Sequence, residues 1–340
     1  MPNFNRYTQP ITPRAAQGQV VDIYAQLKRD LGSVADPIAL HAPIPPLLAG
    51  AWAILRETLV AGQAPRGHKE AVAAAVSARN RCPWCVEIHG MMLAASGHGD
   101  ARDAITSRQS AVIADPQLRA LASWADQPLL GPPPGDPALA PALIGTAVTF
   151  HYLNRMVNVL LVESFLPQMR LVRNVLATTL PLALRPLARR AVAPGESLRW
   201  VPAAALPADL AWASSAPHIA RAFAGFAVAV EEQGQRALPA HVQALVRERL
   251  ASWDGEGPGL SRGWVEQTVA GLSEADAAAA RLALLVALAS YQIDDDLVAA
   301  FRRHYPDDAT LVAALAWASF AAARQVAFSA CQATPLRAYT

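Results

Sequence analysis

Only 16% of this chain's 340 residues are charged, and the charges nearly cancel, leaving a formal net of +2. No Lys/Arg-rich block occurs, so the concentrated basic face that nucleic acid requires is missing, and no nucleic-acid partner is expected. Long apolar runs are absent as well. The longest, residues 282–290 and 309–323, fall short of the roughly 18 to 20 residues of a membrane span, and Arg303 and Arg324 stand close by. Both are expected to be buried helices of a protein with no membrane partner. The opening MPNFNRYTQPITPRAA lacks an apolar stretch behind a basic head, so no secretory leader is expected and the cytoplasm is the expected compartment. Cysteine is scarce, with three in all. In a reducing compartment a Cys pair is more often redox-active or metal-bound than a structural disulfide. Cys331 has no sequence neighbour to pair with and reads as a single thiol at an apolar site.

Strand signals are the remaining deficit. β-branched residues are scattered among alanines, and no alternating run is bounded by turn residues on both sides, which argues against a thioredoxin-type βαβ setting. What is present is helical material. Hydrophobic residues make up 53% of the chain, ample for buried cores in one large or two ordinary domains. Apolar positions recur at three and four spacing through 20–31, 47–60, 70–79, 86–95, 118–124 and 144–161. The expected fold is all-α.

An internal repeat appears when the second half is slid back by 174 positions. Ala42 and Pro43 then meet Ala216 and Pro217, Trp52 meets Phe226, Glu57 meets Glu231 and Pro65 meets Pro239. Farther on, 144–157 resembles 313–326 at an offset near 169, bringing Arg155 over Arg324. The expected organisation is a first helical unit at 1–167, a proline-interrupted, basic connection at 168–200 and a degenerate second unit at 201–340. The arginines of the connection read as a solvated helix face.

One short window carries chemistry: Glu70, Cys82, Cys85 and His89, within EAVAAAVSARNRCPWCVEIH. Pro83 suits a first helical turn, placing Cys82 at a helix start, where unpaired N–H groups and the dipole favour a thiolate. Cys85 and His89 are four apart and share a helix face, so the imidazole can take a thiol proton. Glu70, on the preceding helix, is close enough in sequence to fold back alongside and relay protons. The four groups are also competent zinc ligands, although a structural zinc site usually recruits a second Cys/His pair at short spacing. In the second copy the 174 offset sets Ala244, Glu256, Gly259 and Gly263 opposite the four, so the helical scaffold does not require them.

Glu, twelve positions to Cys-x-x-Cys, then three residues to His, on a helical chain, resembles the alkylhydroperoxidase D-like branch of the carboxymuconolactone decarboxylase superfamily. The resemblance covers about 42–161, and FHYLNRMVNVLL at 150–161 is similar to the family's closing helix. It implies an antioxidant thiol peroxidase for alkyl or hydrogen peroxides. Cys85 would attack the O–O bond and become a sulfenic acid, and Cys82 would resolve it to a Cys82–Cys85 disulfide. Glu70 and His89 would form a proton relay, and a dithiol or lipoyl-type protein would restore the pair. No other cofactor and no metal are implied, and family members assemble into homo-oligomers. The dipole argument favours Cys82 as the more acidic thiol, whereas the resemblance assigns attack to Cys85. The chain departs from the better-known peroxidases at Trp84, where they carry histidine, so a disulfide reductase of unknown substrate stays open beside a zinc-binding or structural helical module.

His151, Asn154, Arg155 and Asn158 set polar groups on an otherwise apolar helix. The first three, with Trp84, are candidates for a substrate-pocket wall; the alternative is a satisfied buried network. His68 and His98 read as caps or exposed groups. Asp294, Asp295 and Asp296 read as a solvated helix start, and Glu87 should point away from Cys85.

Overall fold

The computed structural model describes residues 4–166 and 170–332, without the side chains of 170–174, 177 and 329–332. Cys331 therefore has no described side chain. Among the described residues there is no strand, only one antiparallel bridge between Asn5 and Leu161, and the chain is all-α. The helices that position the site are α1 (Gln19–Leu31), α2 (Pro45–Leu55), α3 (Arg66–Arg79), α4 (Pro83–Ala95) and α5 (Ala140–Leu160). Then come α6 (Arg170–Ala188), α7 (Pro217–Ala237), α8 (Ala240–Ala251), α9 (Glu274–Ala289) and α10 (Asp308–Gln332).

Local sequence explains the boundaries. Prolines occupy the first turns of α2, α4, α5 and α7, where a missing N–H costs nothing. Gly32 closes α1 in the left-handed region (φ 79°), its N–H returning to Lys28 O at 2.9 Å. Pro65 and Pro239 each precede a helix, α3 and α8, and α5 and α10 begin at Ala140 and Asp308.

The two halves share one apolar core. α7 crosses α2 so closely that a Cβ on Gly50 would lie 2.4 Å from Phe226 Cδ2. α10 lies along α5, and the Tyr152 ring meets Phe226 edge-on at 5.0 Å and Phe320 at 6.0 Å. α10 is longer than its apolar run suggests: by length and composition it could cross a membrane, but 78% of its most apolar stretch is buried in the protein.

The segment read as a connection is itself folded. α6 contains Pro181 and Pro186 and packs on α4, with Arg185, Arg189 and Arg190 exposed. After it, Gly195 N–H and Ser197 Oγ donate to Glu57 at 2.8 and 2.7 Å. Glu57 and Arg56 belong to a π-helical turn (Arg56–Val60) that ends α2. Buried Arg56 is neutralised by Asp30 of α1 at 2.8 Å and by Glu57 at 3.0 Å, as a charge in the interior must be.

Because Phe226's backbone as well as its ring stands against Gly50, a larger residue cannot be absorbed by a rotamer change. Gly50→Val should cost about 1–3 kcal/mol through overpacking. Urea unfolding followed by circular dichroism measures this, and an unchanged midpoint would disprove the close crossing.

Candidate active site

The site is built on the α3–α4 turn. α3 ends at Arg79, Asn80 follows it, Arg81 adopts φ +52°, and Cys82 immediately precedes α4 with Pro83 at its first position. Positive φ on a non-glycine residue costs roughly 1–3 kcal/mol and persists only where its surroundings over-determine it. Here they do. Cys82 N–H returns to Ser77 O at 3.0 Å, and the Arg81 guanidinium lies over the Tyr291 ring at 4.5 Å. The polar stripe of α5 holds the rest: Asn80 Nδ2 donates to Asn154 Oδ1 (3.0 Å) and His151 Nδ1 (3.2 Å), and Asn158 Nδ2 donates to Asn80 O (3.0 Å). Asn154 Nδ2 also donates to Ser77 Oγ at 3.0 Å.

Glu70 and His89 meet across this hairpin. Glu70 is fully buried and accepts from Arg66 Nε at 2.6 Å and from His89 Nδ1 at 2.7 Å. Burial pushes its carboxyl upward, but Arg66 and His89 outweigh that and hold it below the usual carboxylate range. An ionised carboxylate only accepts, so the proton sits on His89 Nδ1 and Nε2 is left as the basic nitrogen. The ring is further fixed edge-on to Phe150 at 4.4 Å.

Cys82 and Cys85 are free, buried thiols. Burial pushes the Cys85 thiol well above its ordinary value, and neighbouring Cys82 pushes it in the same direction, while the Asn154 side chain opposes them. The two cysteines line different spaces. Cys85 lines a largely apolar cavity of about 330 Å³ together with His89, Arg66, Phe150 and Leu153. Cys82 lines a polar cleft of about 590 Å³ with Arg6, Arg81, Tyr291 and Asp296. Trp84 borders both, held between Phe4 and Phe165 at 5.0 and 5.1 Å.

A model of the carboxymuconolactone decarboxylase family matches residues 46–127, a stretch that contains Glu70, both cysteines and His89. A Mycobacterium tuberculosis (strain H37Rv) protein named alkyl hydroperoxide reductase Rv2159c is 41% identical over 326 residues, 95% of this chain and 94% of its own length. The chain belongs to the carboxymuconolactone decarboxylase family. No solved structure matches it.

In this family member the residues expected to wall a pocket separate. Trp84 borders both cavities and Asn154 adjoins Cys85. His151 and Arg155 border neither; they face a small hollow behind the turn, with Arg79 and Trp253. Arg155 Nε donates to Ala287 O at 2.9 Å, tying α5 to the end of α9, and burial together with Arg79 brings it down to about 10. Burial, Arg155 and Arg79 hold His151 neutral. That face of α5 is turned to α9, and His151 Nε2 is buried there without a hydrogen-bond partner among the described residues.

Arg66 was missed, although its i,i+4 spacing to Glu70 is legible in the sequence. Glu87 points away and accepts from Ser164 Oγ at 2.7 Å, and Asp294 caps the helix Asp295–Arg302. His98 stands at the start of the helix Gly99–Thr106 but its ring packs over Gly67 and makes no cap bond. Among the described residues no three His, Cys, Asp or Glu side chains are grouped to hold a metal, and both Glu70 oxygens are already engaged.

Glu70's depressed folded-state pKa makes a stability contribution that is complete above its ordinary value of 4.5 and lost as pH falls through the lower folded value. Glu70→Gln should therefore cost roughly 2 kcal/mol at neutral pH, and the gap to wild type should narrow below about pH 4.5. Parallel urea titrations at neutral and acid pH measure it; a gap that widens on acidification would contradict the assignment.

Proposed function

We propose that this protein is a thiol peroxidase that reduces alkyl or hydrogen peroxides through a Cys82/Cys85 dithiol–disulfide cycle. The observation that carries this reading is that Cys85 and His89 open on the same apolar cavity, with the imidazole oriented by Glu70 so that its basic nitrogen is free. A thiol whose pKa burial has raised needs a base at the moment of reaction, and His89 supplies one. Cys85 sulfur attacks the terminal peroxide oxygen, the O–O bond breaks, and the thiol proton passes through His89 to the departing alkoxide, giving an alcohol and a sulfenic acid. Cys82 sulfur then attacks Cys85 sulfur, and the hydroxyl leaves as water with the Cys82 proton. A dithiol donor, free or on a lipoyl-type protein, reduces the resulting disulfide. The relative named alkyl hydroperoxide reductase, similar along nearly the whole chain, supports peroxide reduction in general.

The same reading takes in the expected setting: a reducing cytoplasm that supplies the dithiol, a first unit at 1–167 that holds the reaction, a connection at 168–200, a second unit at 201–340, and a homo-oligomeric assembly. No metal and no bound cofactor enter the cycle.

The test is cumene hydroperoxide-dependent oxidation of dihydrolipoamide. Cys85→Ser should abolish turnover. Cys82→Ser should also abolish it while leaving a Cys85 sulfenic acid that dimedone traps. If both variants turn over like wild type, the mechanism is wrong; if dithiols reduce the oxidised pair but no peroxide forms it, the protein is a disulfide reductase instead. Stoichiometric zinc with thiols that do not titrate would make it a metal-binding module.

His89→Gln should slow peroxide oxidation of the thiol by about 10²–10⁴-fold near neutral pH. The loss should shrink as pH rises toward the raised pKa of Cys85, because hydroxide then replaces the missing base. A pH-independent loss would assign His89 a purely structural part.

A further inference from the structure

The apolar cavity accounts for Cys85 but not for the second, larger opening beside Cys82. That cleft is assembled from both halves of the chain. The first half contributes Arg6, Arg81, Pro83, Val162 and Glu163, and the second contributes Tyr291, Ile293 and the start of the helix Asp295–Arg302. It is polar where the Cys85 cavity is apolar, and Trp84, clamped by Phe4 and Phe165, stands at the boundary of both.

Resting on the peroxidase reading above, we propose that the two half-reactions use separate openings: peroxide enters at Cys85, and an uncharged dithiol enters at Cys82 through the cleft walled by the second half. Thiol–disulfide exchange proceeds by attack of a thiolate on one sulfur with the other as leaving group. A donor approaching through this cleft meets Cys82 first and expels Cys85. The new bond joins donor sulfur to Cys82, the Cys82–Cys85 bond breaks, and Cys85 leaves as a thiolate that regains a proton through His89. The donor's second thiol then attacks its own bonded sulfur, closes a cyclic disulfide and frees Cys82 as a thiol. One dithiol is oxidised and one protein disulfide reduced.

The lining sets the charge of the donor. Four carboxylates, Glu163, Asp294, Asp295 and Asp296, face two guanidiniums, Arg6 and Arg81. Arg6 is engaged by Asp295 at 2.9 Å, Asp294 is paired with Arg262 from outside the lining at 2.8 Å, and Arg81 lies against the Tyr291 ring, while Asp296 and Glu163 have no ion-pair partner among the described residues and leave a small acidic surplus. An acidic surplus at the mouth repels anionic thiols and leaves neutral ones unopposed. The arrangement also gives the second half, which carries no counterparts of Glu70, Cys82, Cys85 and His89, a part in the reaction: it walls the reductant's path.

The two half-reactions are measured separately by stopped flow. Reduced protein is oxidised with cumene hydroperoxide, and protein pre-oxidised with diamide is reduced with dihydrolipoamide. Val162→Trp, at an exposed rim position of the cleft, and Asp296→Trp on the opposite wall should each slow the reductive step at least tenfold and leave the oxidative step within twofold of wild type. Val34→Trp, at the rim of the apolar cavity, should do the reverse. Wild type should also react several-fold faster with dihydrolipoamide than with dihydrolipoate, and Glu163→Gln/Asp296→Asn should reduce that preference. The proposal is overturned if both cleft variants leave reduction unchanged, if Val34→Trp slows reduction as much as oxidation, or if dihydrolipoate is as fast as the amide. Diamide forms the disulfide without peroxide, so the reductive results stand even if the peroxidase reading fails.

Discussion

A carboxylate cut off from water is the constraint on which the site depends. Glu70 is fully buried, and an ionised group there is tolerated only if its oxygens are satisfied by charged donors. Arg66, one turn back on α3, takes one oxygen and His89 of α4 takes the other. That single requirement fixes the spacing between two helices, places the hydrogen on Nδ1 and holds the ring at the cavity that Cys85 also lines. Moving any of the three partners would leave a buried charge uncompensated, so hairpin geometry and proton chemistry are held by the same contacts.

The strained turn before Cys82 is held by a different device. Arg81 stands in the left-handed region, and α5 offers asparagines at Asn154 and Asn158 to bind the backbone and side chain of Asn80 and, through Ser77, the end of α3. The polar stripe on α5 is thus a clamp on the cysteine turn. His151 and Arg155 extend it backward, where Arg155 donates to the Ala287 carbonyl near the end of α9 and ties the second half to α5. At the aligned position Arg324 does something else, forming a two-point pair with Asp209 at 2.6 Å. A conserved-looking arginine therefore serves two different contacts in the two copies.

Glu57 and Glu231 diverge in the same way. The first is buried against Gly195 and Ser197 and docks the segment between the halves, whereas the second pairs with Arg247 near the surface. At these aligned positions the polar groups do different work.

The all-α architecture, the helix start at Pro83 and the shared face of Cys85 and His89 were legible in the chain, because helix periodicity, first-turn proline and i,i+4 spacing are local properties. The proximity of Glu70 to His89 was inferable from the short turn between their helices. Tertiary structure alone decided that the Asn154 and Asn158 side chains brace the turn, that His151 and Arg155 face a hollow apart from both cysteine cavities, and that α6 packs on α4. It alone decided, too, that Cys82 and Cys85 line different cavities, one of them walled by residues more than two hundred positions away. The physical reason is common to all of these. Which face of a helix becomes a pocket, a clamp or a core depends on what is packed against it, and spacing along the chain does not record the neighbour.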